Sequence, residues 1–141
     1  MAHILIVDDE ATIRYLIRTQ LEFAGHSVFE AQYIRAALDI LETFPKPFDI
    51  MTLNIYMPHM NGFELLALLR KQPFHPLVLT VGAYSDQIPQ AVAHMVPRRL
   101  TKPFDRQALI TMVNRLVNLP LELPLPQPIK IRKQNAQTNR L

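Results

Sequence analysis

The sequence has no cysteine and only three glycines among 141 residues. Without cysteine there is no disulfide framework, no thiolate metal site and no thiol nucleophile, a usage that fits a reducing compartment. Three scattered glycines leave no glycine-rich phosphate loop, and no nucleophile–base pair stands out, so the chain reads as a non-enzyme. No apolar stretch approaches the roughly 18 residues of a membrane span. The opening MAHILIVDDE sets three acids directly behind an apolar run too short for a signal peptide. A cytoplasmic protein without membrane contact is the expectation.

What is present suffices for one core: 49% of the residues are hydrophobic, and the length is that of a single domain. The net charge is +3, but residues 1–119 hold 11 Lys/Arg and 11 Asp/Glu and therefore balance. The excess lies in residues 120–141, with Lys130, Arg132, Lys133 and Arg140 against Glu122. This segment opens with LPLELPLPQP, whose prolines remove amide donors and favour extended backbone, and ends as IRKQNAQTNRL. We divide the chain into a domain, 1–119, and a proline-rich basic linker or tail, 120–141. A short basic arm usually only solvates a chain, and nucleic-acid binding would rest on it alone, because the balanced domain offers no groove-reading motif or basic stripe.

Within the domain the apolar period switches repeatedly. Ile4 to Val7, Phe48 to Leu53 and Leu77 to Thr80 have the length of buried strands; Ser27 to Ala31 is a weaker one and Leu100-Thr101 a minimal one. Between them, Ile13, Leu16, Ile17 and Leu21 recur at helical spacing, with Gly25 as a stop. Ile34 to Leu41, Phe63 to Leu69 and Leu109 to Val117 repeat the pattern, and Asp86 to Met95 is a further helix with Pro89 in its first turn. Five strands alternating with five helices predict a doubly wound α/β domain with a five-stranded parallel sheet. Ligands of such sheets bind at the carboxyl ends of the strands, so the residues to inspect are Asp8, Asp9, Glu10, Asn54, Thr80 and Lys102. Adjacent carboxylates suit Mg²⁺, and a lysine and a hydroxyl suit a phosphoryl group. Taken alone, Asp8 and Asp9 equally suit a solvated helix N-terminus. The five histidines, His3, His26, His59, His75 and His94, show no ligand spacing and read as surface or packing residues.

Four blocks, LIVDDE, FDIMTLNIYMPHMNG, LVLTVGAYSD and RRLTKPF, occur in an order and at separations that resemble the receiver domains of two-component response regulators. The resemblance covers about residues 2–118 and implies the (βα)5 flavodoxin-like receiver fold. It implies that Asp8, Asp9 and the Tyr56 carbonyl bind the metal, that Thr80 is the switch hydroxyl and that Lys102, before Pro103, binds phosphate. Met57-Pro58 and Gly62 match the loop after the phosphoacceptor. The acceptor position departs: the family's aspartate, three residues before the Met-Pro pair, is Asn54 here.

An amide oxygen is a poor nucleophile toward phosphorus, so acyl-phosphate formation at Asn54 should fail. Losing one negative charge about 4 Å from a cation removes on the order of 4 kcal/mol of attraction at an effective dielectric of about 20, so Mg²⁺ binding should be weak or absent. Fold stability should survive, since the volumes are close and the amide can accept from Lys102. Arg99 stands where the family has the rotating aromatic residue, Val81 where it has a small one, and Met95-Val96-Pro97 where it has a glycine-containing turn. Arg99 either blocks the switch or is a surface charge beside Arg98. The expected function is a degenerate, phosphorylation-independent receiver acting through protein–protein contacts. Its partners would be a sensor kinase or other signalling protein, an output domain, or a second copy docked on the fourth helix, fifth strand and fifth helix, where Arg98, Arg99 and Arg106 are the candidates. The alternatives are a phospho-switch at deamidated Asn54 or at Thr52, and nucleic-acid binding through the tail.

Overall fold

The computed structural model describes residues 1–57, 60–82 and 88–118. Five parallel strands, β1 (His3–Val7), β2 (Ser27–Ala31), β3 (Ile50–Leu53), β6 (Leu77–Gly82) and β7 (Arg98–Thr101), form one sheet in the order β2-β1-β3-β6-β7. A two-stranded ribbon, β4 (Tyr56–Met57) with β5 (Met60–Asn61), follows β3. The helices are α1 (Ala11–Phe23), α2 (Ile34–Thr43), α3 (Gly62–Leu69) and α4 (Arg106–Val117). This is the flavodoxin-like α/β architecture that the alternation of periods predicts.

The continuous apolar run of β1 is explained by what covers it. Leu5 and Val7 pack on one side with α2, α3 and residues 92–96, whereas Ile4 and Ile6 pack on the other with α1 and α4. A strand buried on both faces leaves no polar positions, hence no alternation. Gly25 ends α1 at φ +96, with the His26 amide donating to the Leu21 carbonyl at 3.1 Å and Gly25 to Glu22 at 2.9 Å. That paired closure is the Schellman motif, and it requires a left-handed residue. Asn61 and Asp105 cap α3 and α4 by accepting from the amides of Phe63 and Ala108, both at 2.8 Å.

One element departs from expectation. The helix expected over 86–95 is a six-residue 3₁₀ helix, Gln90–Met95, preceded by Pro89; residues 86 and 87 lie outside the described residues. Among the described residues there are thus four α-helices rather than five. Proline lacks an amide donor, and only Val92 and Met95 of this segment are buried, so little holds a longer helix there. The last strand is longer than the expected Leu100-Thr101, extending back to Arg98. Among the described residues no helix is long and apolar enough to cross a membrane. Pro58, His59 and the tail, 120–141, lie outside the described residues.

Candidate functional site

Asp8 follows β1, Asn54 follows β3, Thr80 lies in β6 and Lys102 follows β7. Because the strands are parallel and in register, with Val7 beside Leu53 and Leu53 beside Thr80, all of these come to one rim. Asp8 is 2% exposed and stands at the centre. One of its carboxylate oxygens accepts from the Glu10 amide at 2.9 Å, a tight side-chain turn that leads the chain into α1. The other is 3.5 Å from the Lys102 ammonium, which also lies 3.6 Å from Glu10. Burial raises the Asp8 pKa, outweighing the Glu10 amide, the Lys102 charge and the Asn54 hydrogen bond that favour the ionised form. A solvated helix cap does not describe this residue; the N-cap of α1 is Glu10.

Asn54 is buried, and its amino group donates to Asp8 at 3.4 Å and to Asp9 at 3.2 Å. Two carboxylates can face only the NH₂ end of an amide, because its carbonyl oxygen has no proton to give. This differs from the expectation that Asn54 would accept from Lys102: the ammonium goes to Asp8 and Glu10, the nearest full negative charges. Gly62 forms the floor beneath. A Cβ there would sit 2.9 Å from the Ile55 Cα and 3.2 Å from the Asn54 carbonyl oxygen, so glycine lets the start of α3 close onto the acceptor loop.

The remaining expectations separate. Thr80 is buried at the rim, one strand from Asn54. Tyr56 sits in β4, its ring exposed and edge-on to Phe63 at 6.2 Å. Arg99 is exposed on the edge strand, which favours its reading as a surface residue; Arg98 is half-buried and Arg106 exposed, with its guanidinium 5.6 Å from the Phe23 ring. Thr52 is 1% exposed, inside the sheet.

Sequence reasoning missed Arg14 and Glu30. Arg14 donates to the Asp8 carbonyl at 2.7 Å and to Glu30 at 3.0 Å, while Glu30 also accepts from Arg18 at 2.6 Å. Burial opposes ionisation of Glu30, but the hydrogen bonds and charges of Arg18 and Arg14 hold its pKa low. The signal was the placement of two arginines four residues apart on one helix opposite an acid on the next strand. The structure also brings His75 and His94 together, with ring centroids 6.1 Å apart.

The arrangement is an acidic pocket with a lysine, a buried hydroxyl and a neutral amide at the acceptor position. The response regulator receiver domain family matches residues 4–114. The response regulator FleR of Pseudomonas aeruginosa is 31% identical over 116 residues, covering 81% of this chain and 24% of that protein. The chemotaxis response regulator CheY4 of Vibrio cholerae superposes with a TM-score of 0.71 at 29% identity, covering 82% of this chain and 98% of that one. The response regulator TrrA of Thermotoga maritima, solved in complex with Mg(2+)-BeF, gives 0.67 at 27% identity, covering 82% and 99%. The chain spans between 24% and 51% of the length of curated relatives such as FleR and the SaeR regulator of Staphylococcus aureus. With the four sequence blocks, the sheet order and the acidic rim in agreement, the chain belongs to the response regulator receiver domain family.

Proposed function

We propose that this receiver is assembled but chemically silent, and that it signals through contacts with other proteins rather than by accepting a phosphoryl group. The observation that carries this is the Asn54 amide, which donates to both Asp8 and Asp9. Acyl-phosphate formation needs a lone pair on a carboxylate oxygen facing phosphorus, and the group that position 54 turns toward Asp8 and Asp9 is an N–H donor. The same contacts give the carboxylates a partner without a metal.

Receivers bind Mg²⁺ in general, and the donor set here fits such an ion in part. Asp8 and Asp9 are hard oxygen ligands, with the Tyr56 carbonyl as a third, and one or two carboxylates suffice for Mg²⁺. The ion, when bound, screens phosphate charge. To admit it, Asn54 must turn its amide and give up both hydrogen bonds, which weakens the site beyond the missing charge. Lys102 would hold an incoming anion only by leaving Asp8 and Glu10.

Thr52 is a poor substitute acceptor, being sealed within the sheet. On the signalling route, an exposed arginine at 99 cannot fill an apolar pocket as a rotating ring would. The partner is a sensor kinase, another signalling protein or an output domain, and the protein is not an enzyme. A second copy docked on the face of the 3₁₀ helix, β7 and α4, where Arg98, Arg99 and Arg106 lie, is the remaining partner in this reading.

The test is intact-mass spectrometry after incubation with acetyl phosphate and Mg²⁺, comparing the natural chain with Asn54→Asp. The expected result is that only the variant gains the mass of one phosphoryl group. A phosphorylated natural chain would overturn the reading, and mapping would decide between deamidated Asn54 and Thr52.

A further inference from the structure

A second pair of chemistry-bearing side chains lies at the other end of the sheet from the acidic rim. His75 stands just before β6, and His94 in the last turn of the 3₁₀ helix that leads to β7, so both sit where strands begin rather than where they end. Far apart in sequence, their rings meet with centroids 6.1 Å apart and planes tilted by 69°. The backbone that presents them is anchored. Pro76 and Val78 are buried beside the first, and Val92, Met95 and Val96 beside the second. Val78, Val92, Met95 and Val96 share one cluster with Leu65, Leu66 and Leu69 of α3. The two histidines themselves remain accessible, His94 exposed and His75 partly so.

The hydrogen bonding of this pair decides what it can hold. Nδ1 of His75 lies 3.1 Å from the Pro76 carbonyl oxygen. A carbonyl only accepts, so Nδ1 carries the proton and Nε2 of the neutral ring keeps a bare lone pair. A backbone carbonyl orients metal-ligating histidines in this way. Among the described residues neither Nε2 of His75 nor either nitrogen of His94 has a hydrogen-bond partner, and no carboxylate pairs with either ring. We infer that His75 and His94 together form a binding site for a divalent transition-metal cation of the Zn²⁺ class, which ties the 3₁₀ helix to the segment entering β6. Imidazole nitrogen suits such borderline ions, whereas Mg²⁺ and Ca²⁺ demand oxygen. Metal–nitrogen bonds of about 2.0–2.1 Å at a tetrahedral angle set two ring centres about 5 Å apart, so a swing of about 1 Å by the exposed His94 closes the pair on the ion. No third His, Asp or Glu joins them among the described residues, so water completes the shell and the ion is exchangeable. Only the folded chain brings the two rings together, so binding stabilises the fold by mass action.

The test is isothermal titration calorimetry of the full chain with Zn²⁺ in excess Mg²⁺, which competes for Asp8 and Asp9. One Zn²⁺ per chain should bind, and the thermal unfolding midpoint should rise with Zn²⁺ and fall back on chelation. His94→Gln and His75→Gln should each weaken binding at least about tenfold, since glutamine offers a poorer oxygen ligand in place of the imidazole nitrogen. Asp9→Asn should leave the affinity within about twofold, which separates this site from the acceptor rim. In the natural chain, long-range ¹H–¹⁵N spectra should show His75 protonated on Nδ1, and Zn²⁺ should shift its Nε2 resonance together with the ring resonances of His94. That readout needs no variant, so it stands even where a substitution disturbs the fold. Absence of Zn²⁺ binding, unchanged affinity in both histidine variants, loss of binding in Asp9→Asn alone, or Zn²⁺-induced shifts confined to other histidines would each overturn the inference.

Discussion

The half of the molecule from β1 to α3 and the half from β6 to α4 follow the same alternation, yet they differ in regularity and charge. The first has full α-helices, a Schellman closure after α1, a side-chain cap on α3, and arginines paired with acids. The second replaces its first helix with a 3₁₀ turn and leaves three arginines without carboxylate partners among the described residues. The acidic pocket belongs mainly to the first half. The positions to which the resemblance assigns switching, Thr80 and Arg99, belong to the second. The first half carries an amide, Asn54, where the resemblance expects an aspartate; the second half departs from the resemblance at Val81, Met95-Val96-Pro97 and Arg99.

Core truncation offers the largest effect with which to probe that contrast. Leu66 in α3 and Met95 in the 3₁₀ helix are both fully buried in the same cluster. Leu66→Ala should cost about 4–5 kcal/mol and Met95→Ala about 2–3 kcal/mol, because the short helix can collapse onto the smaller side chain. Urea unfolding measures both, and equal losses would show the second half to be packed as rigidly as the first.

At the pocket, Asn54→Asp exchanges two donated hydrogen bonds for repulsion among three carboxylates. In EDTA its unfolding free energy should fall by about 2–4 kcal/mol, with Mg²⁺ restoring most of it. A metal-free variant as stable as the natural chain would mean that the amide does not hold Asp8 and Asp9. Gly62→Ala should cost about 1–3 kcal/mol by forcing the loop after β3 away from α3, seen in the same melts and in displaced amide resonances at Asn54 and Ile55.

The smallest effect concerns the far end of β1, where the Ala2 amide donates to Nδ1 of His26 at 3.0 Å. Burial, and then the chain's amino terminus, lower the His26 pKa below its ordinary 6.5. A lowered histidine pKa means that the fold prefers the neutral ring. Its contribution is therefore fully present above about pH 6.5 and lost as the pH falls through the lowered value. Unfolding midpoints should decline between pH 7 and pH 5 in the natural chain and decline less in His26→Gln; parallel curves would place the pH dependence elsewhere.

Much of this was legible in advance where local chemistry decides. The uninterrupted Ile4 to Val7 and the stop at Gly25 each have one physical use, and the structure puts them to it. The site was legible as a list of strand-end residues, since parallel topology fixes which chain positions share a rim. The Arg14–Glu30 contact was not, because it joins a helix to a neighbouring strand across 16 residues. The 3₁₀ helix was misjudged because its apolar residues, Val92 and Met95, fit either helical period.

By itself the sequence determined the alternation of strands and helices, the family to which the chain belongs, and the presence of an amide at position 54, because these depend on residue identity and spacing along the chain. Tertiary structure alone decided which way the Asn54 amide faces, that Lys102 serves Asp8 and Glu10, and that Arg14 reaches both the Asp8 carbonyl and Glu30. Hydrogen bonds and Coulomb forces act through distance in space, and only the folded chain sets those distances.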